Sequence, residues 1–391
     1  MKKIVLKKGK EASLQRRHPW VFSGAIAQVE HGCNDGELVS VSDYQNRVLG
    51  YGHYQQNGSI SIRILAFSPE AYFDGLYEER LKRALQMRIN LGLVSSSTNC
   101  FRLVHGEGDD LPSLIIDIYN NNAVVQCHSM GMFRQVKLIA DSLDNIFDKR
   151  LNTIYCKSSA TLHLKPGEAD FFLKGSDHET IALENGHHFK INWVEGQKTG
   201  FFLDQRDNRF LVGQLAQGRN VFNAFCYTGG FSVYALANGA SSVTSIDSSQ
   251  KAMDLVEANA GLVSGVGERH TSFRADVIEW LKAQSSASFD LAIVDPPAFA
   301  KSHAVRHKAS LAYRRLNAEA MRLVQDGAYL LTFSCSQAID SATFRSIVFA
   351  AGIDAGKRIQ VLKQLSQGVD HPVNLYHPEG EYLKGLLLRI D

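Results

Sequence analysis

The sequence predicts an α/β protein in which a small β domain and an α+β module precede a C-terminal parallel sheet. Three patterns of apolar residues carry this prediction. Before residue 70, apolar and polar residues alternate with the period of half-buried strands. Between residues 71 and 186 helical and strand patterns mix, whereas from Asn220 onward strands and helices alternate, which favours a parallel sheet covered on both faces. We therefore expect domains at 1–70, 71–186 and 187–391.

The first domain is predicted to consist of β-strands. The isoleucines of segment 60–64 alternate with polar residues, and Leu38–Ser42 and Val48–Tyr51 have similar patterns. Two residue pairs favour hairpin turns, Asp35-Gly36 and Asn57-Gly58.

Cations and aromatic rings are combined in segment 16–22 of this domain. Arg16, Arg17 and Trp20 suit phosphate contact and base stacking on a nucleic acid. Alternatively, Trp20 and Phe22 belong to the core of the domain and the arginines are solvated. Composition alone favours this second interpretation.

The middle module begins with a predicted helix. Leu81, Ala84, Leu85 and Ile89 fall on one of its faces, and Gly92 is a plausible stop signal. Strands are predicted at 101–104, 114–119, 123–126 and 153–155, and a second helix at 132–147. Because this module shows no catalytic constellation, we expect it to act as a spacer and a wall of the substrate groove.

A linker with an unusual composition, 195–207, leads into the last domain. It is interpreted either as a loop that folds over a ligand, with Lys198 and Thr199 as donors, or as a structural loop. In the structural interpretation, Phe201 and Phe202 belong to the core. The residues leave these two alternatives open.

The first strand and helix of the last domain resemble a nucleotide-type ligand site. A strand, a glycine-containing turn and a helix start follow one another in 221–231, although the GxGxxG pattern of dinucleotide sites is absent. The candidate cofactor-binding residues in this turn are Asn223, Phe225, Tyr227, Thr228 and Gly229.

Acidic residues stand at the predicted tips of three strands. Asp247 suits the ribose hydroxyls, and Asp276 suits an adenine amino group. A single aspartate at such a position can instead cap a helix. Asp247, Asp276 and Asp295 together describe a pocket for S-adenosylmethionine.

The chain is organised around the segment 289–336. Two short apolar runs, 289–299 and 328–336, flank a predicted helix at 310–325, which makes a βαβ unit. Because ligands bind outside the carboxyl ends of such strands, we expect Asp295 and Cys335 to share one cleft.

Composition excludes several classes of protein. The formal net charge is only +2, and no apolar run approaches the length of a membrane span. None of the six cysteines forms a CxxC pair, so we expect free thiols and no metal site. The N-terminal residues lack a secretory pattern, and we expect a cytoplasmic protein.

Four of these segments occur together in one known family: 196–200, 223–231, 295–299 and 334–336. Over its whole length the chain resembles the bacterial 23S rRNA cytosine-5 methyltransferases. The resemblance implies an N-terminal PUA domain, a central EEHEE-type domain, a Rossmann-like methyltransferase domain and 23S rRNA as the partner. The segment Arg16–Phe22 matches the PUA signature of that family, so the resemblance favours RNA contact over the core interpretation of these residues. A homodimer is an expectation from the family alone.

The chemistry implied by the resemblance requires a thiol. Carbon-5 of cytosine is a weak nucleophile, and a thiolate that adds to carbon-6 activates it. We expect Cys335 to be this nucleophile and Asp295 to hydrogen-bond the cytosine, whereas Cys226 is interpreted as structural. Lys301 and Arg306 follow the Asp-Pro-Pro motif and suit RNA phosphates, although a solvated loop is an equally good interpretation.

Two other functions compete with this hypothesis. A guanine methyltransferase acting on rRNA would share the fold but would need no thiol. A non-catalytic RNA-binding or assembly factor would use the β domain and would not bind S-adenosylmethionine.

Overall fold

The computed structural model describes residues 1–68, 75–284, 287–300 and 303–391. Contacts divide the chain into two units. The first comprises Met1–Ala182, Ile191–Phe201 and Val369–Gly380, and the second comprises Leu183–Lys190, Phe202–Gly368 and Glu381–Asp391. The predicted boundary at residue 70 lies outside the described residues, and both predicted boundaries stay predictions. Across the described ranges, no helix has the length and apolar character needed to cross a membrane.

A six-stranded sheet forms the N-terminal domain. Its elements are β1 (Lys2–Leu6), α1 (Ala12–Gln15), β2 (Trp20–Phe22), β3 (Ile26–Val29), β4 (Leu38–Ser42), β5 (Val48–Tyr54) and β6 (Ile60–Phe67). The strand order is β2-β6-β5-β4-β1-β3, and its core includes Ile4, Val41 and Ile62. The turn at Asn57-Gly58 joins the paired strands β5 and β6. The hairpin predicted at Asp35-Gly36 is wrong, because β3 pairs with β1 and not with β4.

The middle of the chain forms a five-stranded sheet with helices. The elements are α2 (Leu76–Asn90), β7 (Cys100–His105), β8 (Leu114–Tyr119), β9 (Asn122–Cys127), α3 (Met130–Arg134), α4 (Val136–Ile146), β10 (Thr153–Lys157) and β11 (Asp170–Lys174). The strand order is β11-β10-β9-β8-β7. The single helix predicted at 132–147 is two helices separated at Gln135.

One face of α2 differs from its prediction. Leu81 and Ala84 are buried as expected, but Ile89 is 44% exposed. Arg88 is fully buried instead, and its guanidinium donates to both oxygens of Asp109 at 2.5 and 2.8 Å. The predicted helix stop is confirmed, since α2 ends at Asn90 and Gly92 has a φ of +73°.

A hairpin follows, formed by β12 (Glu179–Glu184) and β13 (His187–Asn192). Its two turn residues, Asn185 and Gly186, both have positive φ, as a type I′ turn requires.

The C-terminal sheet has seven strands alternating with helices. The elements are α5 (Arg206–Ala216), β14 (Asn220–Ala224), α6 (Gly230–Ala237), β15 (Ser242–Asp247), α7 (Gln250–Ala260), β16 (His270–Arg274), α8 (Val277–Lys282), β17 (Phe289–Val294), α9 (Arg306–Leu323), β18 (Val324–Ser334), α10 (Ser341–Ala355), β19 (Ile359–Leu365) and β20 (Lys384–Ile390). The strand order is β16-β15-β14-β17-β18-β20-β19, with only the pairs that involve β20 antiparallel.

Both faces of this sheet are covered, as the sequence predicts. Phe222 and Leu330 pack with α8, α9 and α10, whereas their neighbours Val221 and Leu331 pack with α5, α6 and α7. Side chains of a strand alternate between the two faces of a sheet, so apolar residues are needed at consecutive positions. The predicted helix at 310–325 begins earlier, at Arg306, and ends at Leu323.

Candidate active site

Two neighbouring strands bring Asp295 and Cys335 to the same edge of the C-terminal sheet. β17 and β18 are parallel, with Val294 opposite Thr332. Asp295 directly follows β17, and Cys335 directly follows β18. Both residues are half-buried. The predicted parallel βαβ unit is therefore confirmed, whereas the roles assigned to these two side chains stay predictions.

The carboxylate of Asp295 is held by a chain of side-chain amides. Gln205 Nε2 donates to Asp295 Oδ2 at 2.9 Å, and Asn208 Nδ2 donates to Gln205 Oε1 at 2.6 Å. Asn208 also donates to the carbonyl of Ser366 at 3.1 Å. This chain fixes which end of the Gln205 amide faces Asp295, so one carboxylate oxygen is positioned by a neutral donor.

The tip that carries Cys335 is fixed by its two serine neighbours, which are both buried. The hydroxyl groups of Ser336 and Tyr313 lie 2.9 Å apart, and Ala300 N donates to Ser336 Oγ at 3.3 Å. Burial raises the pKa of Tyr313, so its phenol stays protonated. The hydrogen bond from Ala300 ties the segment after the Asp-Pro-Pro motif to the cysteine tip.

Lys384 lies beside the same tip, although no local pattern in the sequence indicates this position. It stands opposite Ser334 in the antiparallel pair of β18 and β20. Its Nζ donates to the carbonyls of Ser336 at 2.8 Å and Tyr382 at 2.6 Å. Burial lowers the pKa of Lys384, and the charge of Cys335 acts in the opposite direction. A buried cation is thus available at the end of β18.

The turn between β14 and α6 has a backbone that side chains normally avoid. Phe225 and Tyr227 have φ values of +58° and +45°, and Gly229 has +77°. Aromatic residues rarely adopt positive φ, and such outliers cluster at ligand sites. Gly229 lies against α7, because a Cβ built there would be 2.3 Å from Val256 Cγ2. Asn259 Nδ2 donates to the carbonyl of Thr228 at 2.8 Å and fixes the turn from the same helix.

The acidic residues at the strand tips differ in their hydrogen bonds. Asp247 accepts from the backbone amides of Tyr227 at 3.1 Å and Ser249 at 3.0 Å, so it supports the turn directly. Asp276 is exposed and caps α8 by accepting a hydrogen bond from Glu279 N at 3.0 Å. This is the helix-cap role that the sequence leaves open for such an aspartate. The candidate roles of both residues in cofactor binding stay predictions.

Asn223 lies beneath the turn. It is buried, and its Nδ2 donates to Ser232 Oγ at 2.8 Å. Its Oδ1 is buried and has no hydrogen-bond partner among the described residues. Cys226 is also buried, and both burial and the charge of Asp247 raise the pKa of its thiol, which agrees with a structural role.

The linker 195–207 is divided between the two units. In the first unit, Thr199 is buried and donates to Asp117 Oδ2 at 2.6 Å, whereas Lys198 is exposed. In the second unit, the ring of Phe202 lies edge-on to Tyr227 with 5.1 Å between centroids. Thr199 thus has a structural contact, and the cofactor-binding roles of Lys198 and Thr199 stay predictions.

The candidate RNA-binding residues are placed as follows. Arg16 and Arg17 are exposed, but Trp20 is half-buried and its Nε1 donates to Glu107 Oε1 at 2.7 Å. Phe22, which the structural interpretation of this segment places in the core, is 47% exposed. Lys301 lies outside the described residues. Arg306 donates to Thr343 Oγ1 at 2.5 Å and lies 3.6 Å from Asp340 Oδ2.

Comparison with known proteins identifies related chains. Residues 158–348 match a family described as S-adenosylmethionine-dependent methyltransferase, and residues 4–67 match a PUA-like domain. The chain is 38% identical to the ribosomal RNA large subunit methyltransferase I of Pseudoalteromonas atlantica, covering 99% of both chains. It is also 38% identical to the enzyme of the same name from Aeromonas hydrophila, with 99% of this chain and 98% of that one covered.

A solved structure has the same fold. A methyltransferase complexed with SAH superposes with a TM-score of 0.85 at 20% identity, covering 99% of this chain and 100% of that one. S-adenosylmethionine is the cofactor of this chain. The turn fits such a group. It combines a strained backbone, a buried Asn223 oxygen that accepts no hydrogen bond from a described residue, and the carboxylate of Asp247 at one sheet edge.

Proposed function

Because the chain belongs to the family of the ribosomal RNA large subunit methyltransferases I, we propose that it methylates carbon-5 of a cytosine in 23S rRNA through a covalent bond to Cys335. The observation that carries this proposal is the position of Cys335. It is half-buried at the end of β18, and Asp295 follows the end of β17, the neighbouring parallel strand. A nucleophile is needed because carbon-5 of a neutral cytosine is too weak to take a methyl group directly.

The proposed reaction begins at Cys335. Its thiolate adds to carbon-6 of the cytosine, the electron pair of the 5,6 double bond shifts into the bond between carbon-4 and carbon-5, and ring nitrogen 3 receives the displaced pair and a proton. Carbon-5 is then the nucleophilic carbon of an enamine. S-adenosylmethionine supplies the methyl group as an electrophile when it is bound. After carbon-5 is methylated, a base removes its proton, the double bond re-forms, and the bond between carbon-6 and sulfur breaks to release Cys335.

Asp295 is proposed to hold the base during this reaction. Its Oδ2 accepts from Gln205, and the carboxylate can bind the exocyclic amino group or a protonated ring nitrogen of cytosine. The target base must be unstacked to reach a site at a sheet edge. Exposed cations such as Arg16 and Arg17 are proposed to contact RNA phosphates. We further propose that Trp20, Lys301 and Arg306 contact the RNA. The protein is proposed to be cytoplasmic and to form a homodimer.

Replacement of the sulfur tests the proposal. Wild type and Cys335→Ser are incubated with unmodified large-subunit rRNA and methyl-labelled cofactor, and the RNA is digested to nucleosides. We expect 5-methylcytidine from wild type and a loss of at least about 1000-fold in rate from the variant. Cys33→Ser is the matched control, because Cys33 is also a half-buried cysteine.

A second measurement tests the covalent step. RNA transcribed with 5-fluorocytidine cannot lose the substituent at carbon-5, so the adduct with Cys335 should accumulate and survive denaturing electrophoresis. Full activity of Cys335→Ser, or a labelled guanosine, would exclude the cytosine-5 mechanism.

A further inference from the structure

The surroundings of Lys384 place a cation at the end of the strand that carries Cys335. Lys384 is only 7% exposed, although lysine normally keeps its ammonium group in water. Two carbonyl oxygens, of Ser336 and Tyr382, accept from its Nζ and thereby hold it. Because Ser336 is the residue after Cys335, these bonds anchor the ammonium to the cysteine tip itself.

We propose that the Lys384 ammonium pairs with the sulfur of Cys335 and stabilises its thiolate form. This inference rests on the proposed function, in which that thiolate is the nucleophile. The carbonyls of Ser336 and Tyr382 fix the ammonium group beside the cysteine tip, so its positive charge acts on the neighbouring Cys335 over a short distance. Lys384 is then a positioning residue, since it acts on the reaction through Cys335.

The other charged and titratable groups around this pair do not replace it. Glu381 and Asp340 also face Lys384, but both are exposed, so water screens their charges. Tyr313 faces Cys335 and stays protonated because its burial raises its pKa. Burial lowers the pKa of Lys384, and a negative charge on Cys335 acts against that effect. An unpaired ammonium at this depth would be costly, and the thiolate supplies the missing negative charge.

The pH dependence of alkylation measures the proposed pair without RNA or cofactor. The intact protein is treated with iodoacetamide between about pH 6 and 10, and modification of Cys335 is followed by peptide mass spectrometry, since only thiolates react readily. We expect Lys384→Met to raise the midpoint by about one pH unit, which lowers the rate at pH 7 about tenfold. Lys384→Arg keeps the positive charge and should shift the midpoint less.

Cys33 in the same samples is the internal control, and its midpoint should not change. An identical midpoint for Cys335 in wild type and Lys384→Met would overturn the pair. If both variants fail to fold, wild type alone decides, because the proposal requires a lower midpoint in the folded protein than in urea. An equal or higher midpoint in the folded protein rejects it. Methyl transfer by Cys335→Ser would instead refute the proposed function and leave the ion pair intact.

Discussion

At the residue scale, the contact between Gln205 and Asp295 leads to a test of how the carboxylate is positioned. The Gln205 amide donates to one carboxylate oxygen and is itself fixed by Asn208. Gln205→Leu removes the donor and leaves an apolar side chain of similar volume. We expect the turnover number to fall about 10- to 100-fold, because a small displacement of a catalytic group is costly, with S-adenosylmethionine affinity changed much less.

Methyl transfer to rRNA and calorimetric titration with the cofactor measure the two quantities separately. Gln214→Leu is the matched control, since Gln214 lies on the exposed side of α5. Equal losses in turnover and cofactor affinity would contradict a role confined to Asp295.

Sequence patterns predict some of these residues and miss others for a physical reason. Asp295 and Cys335 were found because parallel strands place their carboxyl ends at one edge. Lys384 was missed because only the antiparallel return of β20 brings it back to the end of β18, and pairing over that separation leaves no local spacing. The one available signal was a charge inside the apolar run 382–388.

At the element scale, helix α2 illustrates where periodicity fails. The apolar pattern favoured Ile89 on the buried face, yet Arg88 occupies it. Its charge is tolerated because Asp109 and the carbonyls of Arg102 and Asp370 accept hydrogen bonds from its guanidinium group. These partners come from other elements, so the pattern within α2 alone could not predict the burial of its arginine.

The turn between β14 and α6 gives the prediction at this scale. Gly229→Ala would impose a side chain at a φ of +77° and place its Cβ 2.3 Å from Val256 Cγ2. Left-handed strain costs about 1 kcal/mol and overpacking about 1–3 kcal/mol. We expect lower stability in urea unfolding and at least about tenfold weaker binding of S-adenosylmethionine, because the turn must shift away from α7.

Gly218→Ala separates strain from collision. Gly218 has a similar φ of +70°, but a Cβ there would meet nothing within 4 Å. This control should lose only the strain energy and keep its cofactor affinity. Cofactor affinity that is equal in Gly229→Ala and wild type would show that the geometry of the turn does not govern binding.

At the scale of the whole molecule, buried histidines determine how stability responds to mild acid. His53 is 4% exposed, and burial lowers its pKa from 6.5 to about 4. Burial also lowers the pKa of His105. In the unfolded chain both rings bind a proton as the pH falls below about 6.5, whereas the folded chain keeps them neutral until much lower pH. The unfolded state therefore binds more protons in this window, and the free energy of unfolding decreases as the pH falls. Carboxylates with lowered pKa, such as Asp43, lose their stabilising effect only in more acidic solution.

His53→Gln tests this account, because glutamine is polar and neutral at every pH. For a single ring with these two pKa values, the free energy of unfolding should fall by about 1.4 kcal/mol between pH 7.5 and 5.5. The variant should lack this share of the loss, so urea-unfolding curves at the two pH values should differ less than in wild type. Its stability at pH 7.5 is expected to fall as well, since His53 Nε2 lies 3.4 Å from the hydroxyl of Tyr77, but that loss is the same at both pH values and cancels in the difference.

The exposed His31, changed to glutamine, provides the control and should leave the pH dependence as it is. An equally steep loss in His53→Gln would mean that His53 titrates in the folded protein as it does in the unfolded chain, and that burial does not lower its pKa.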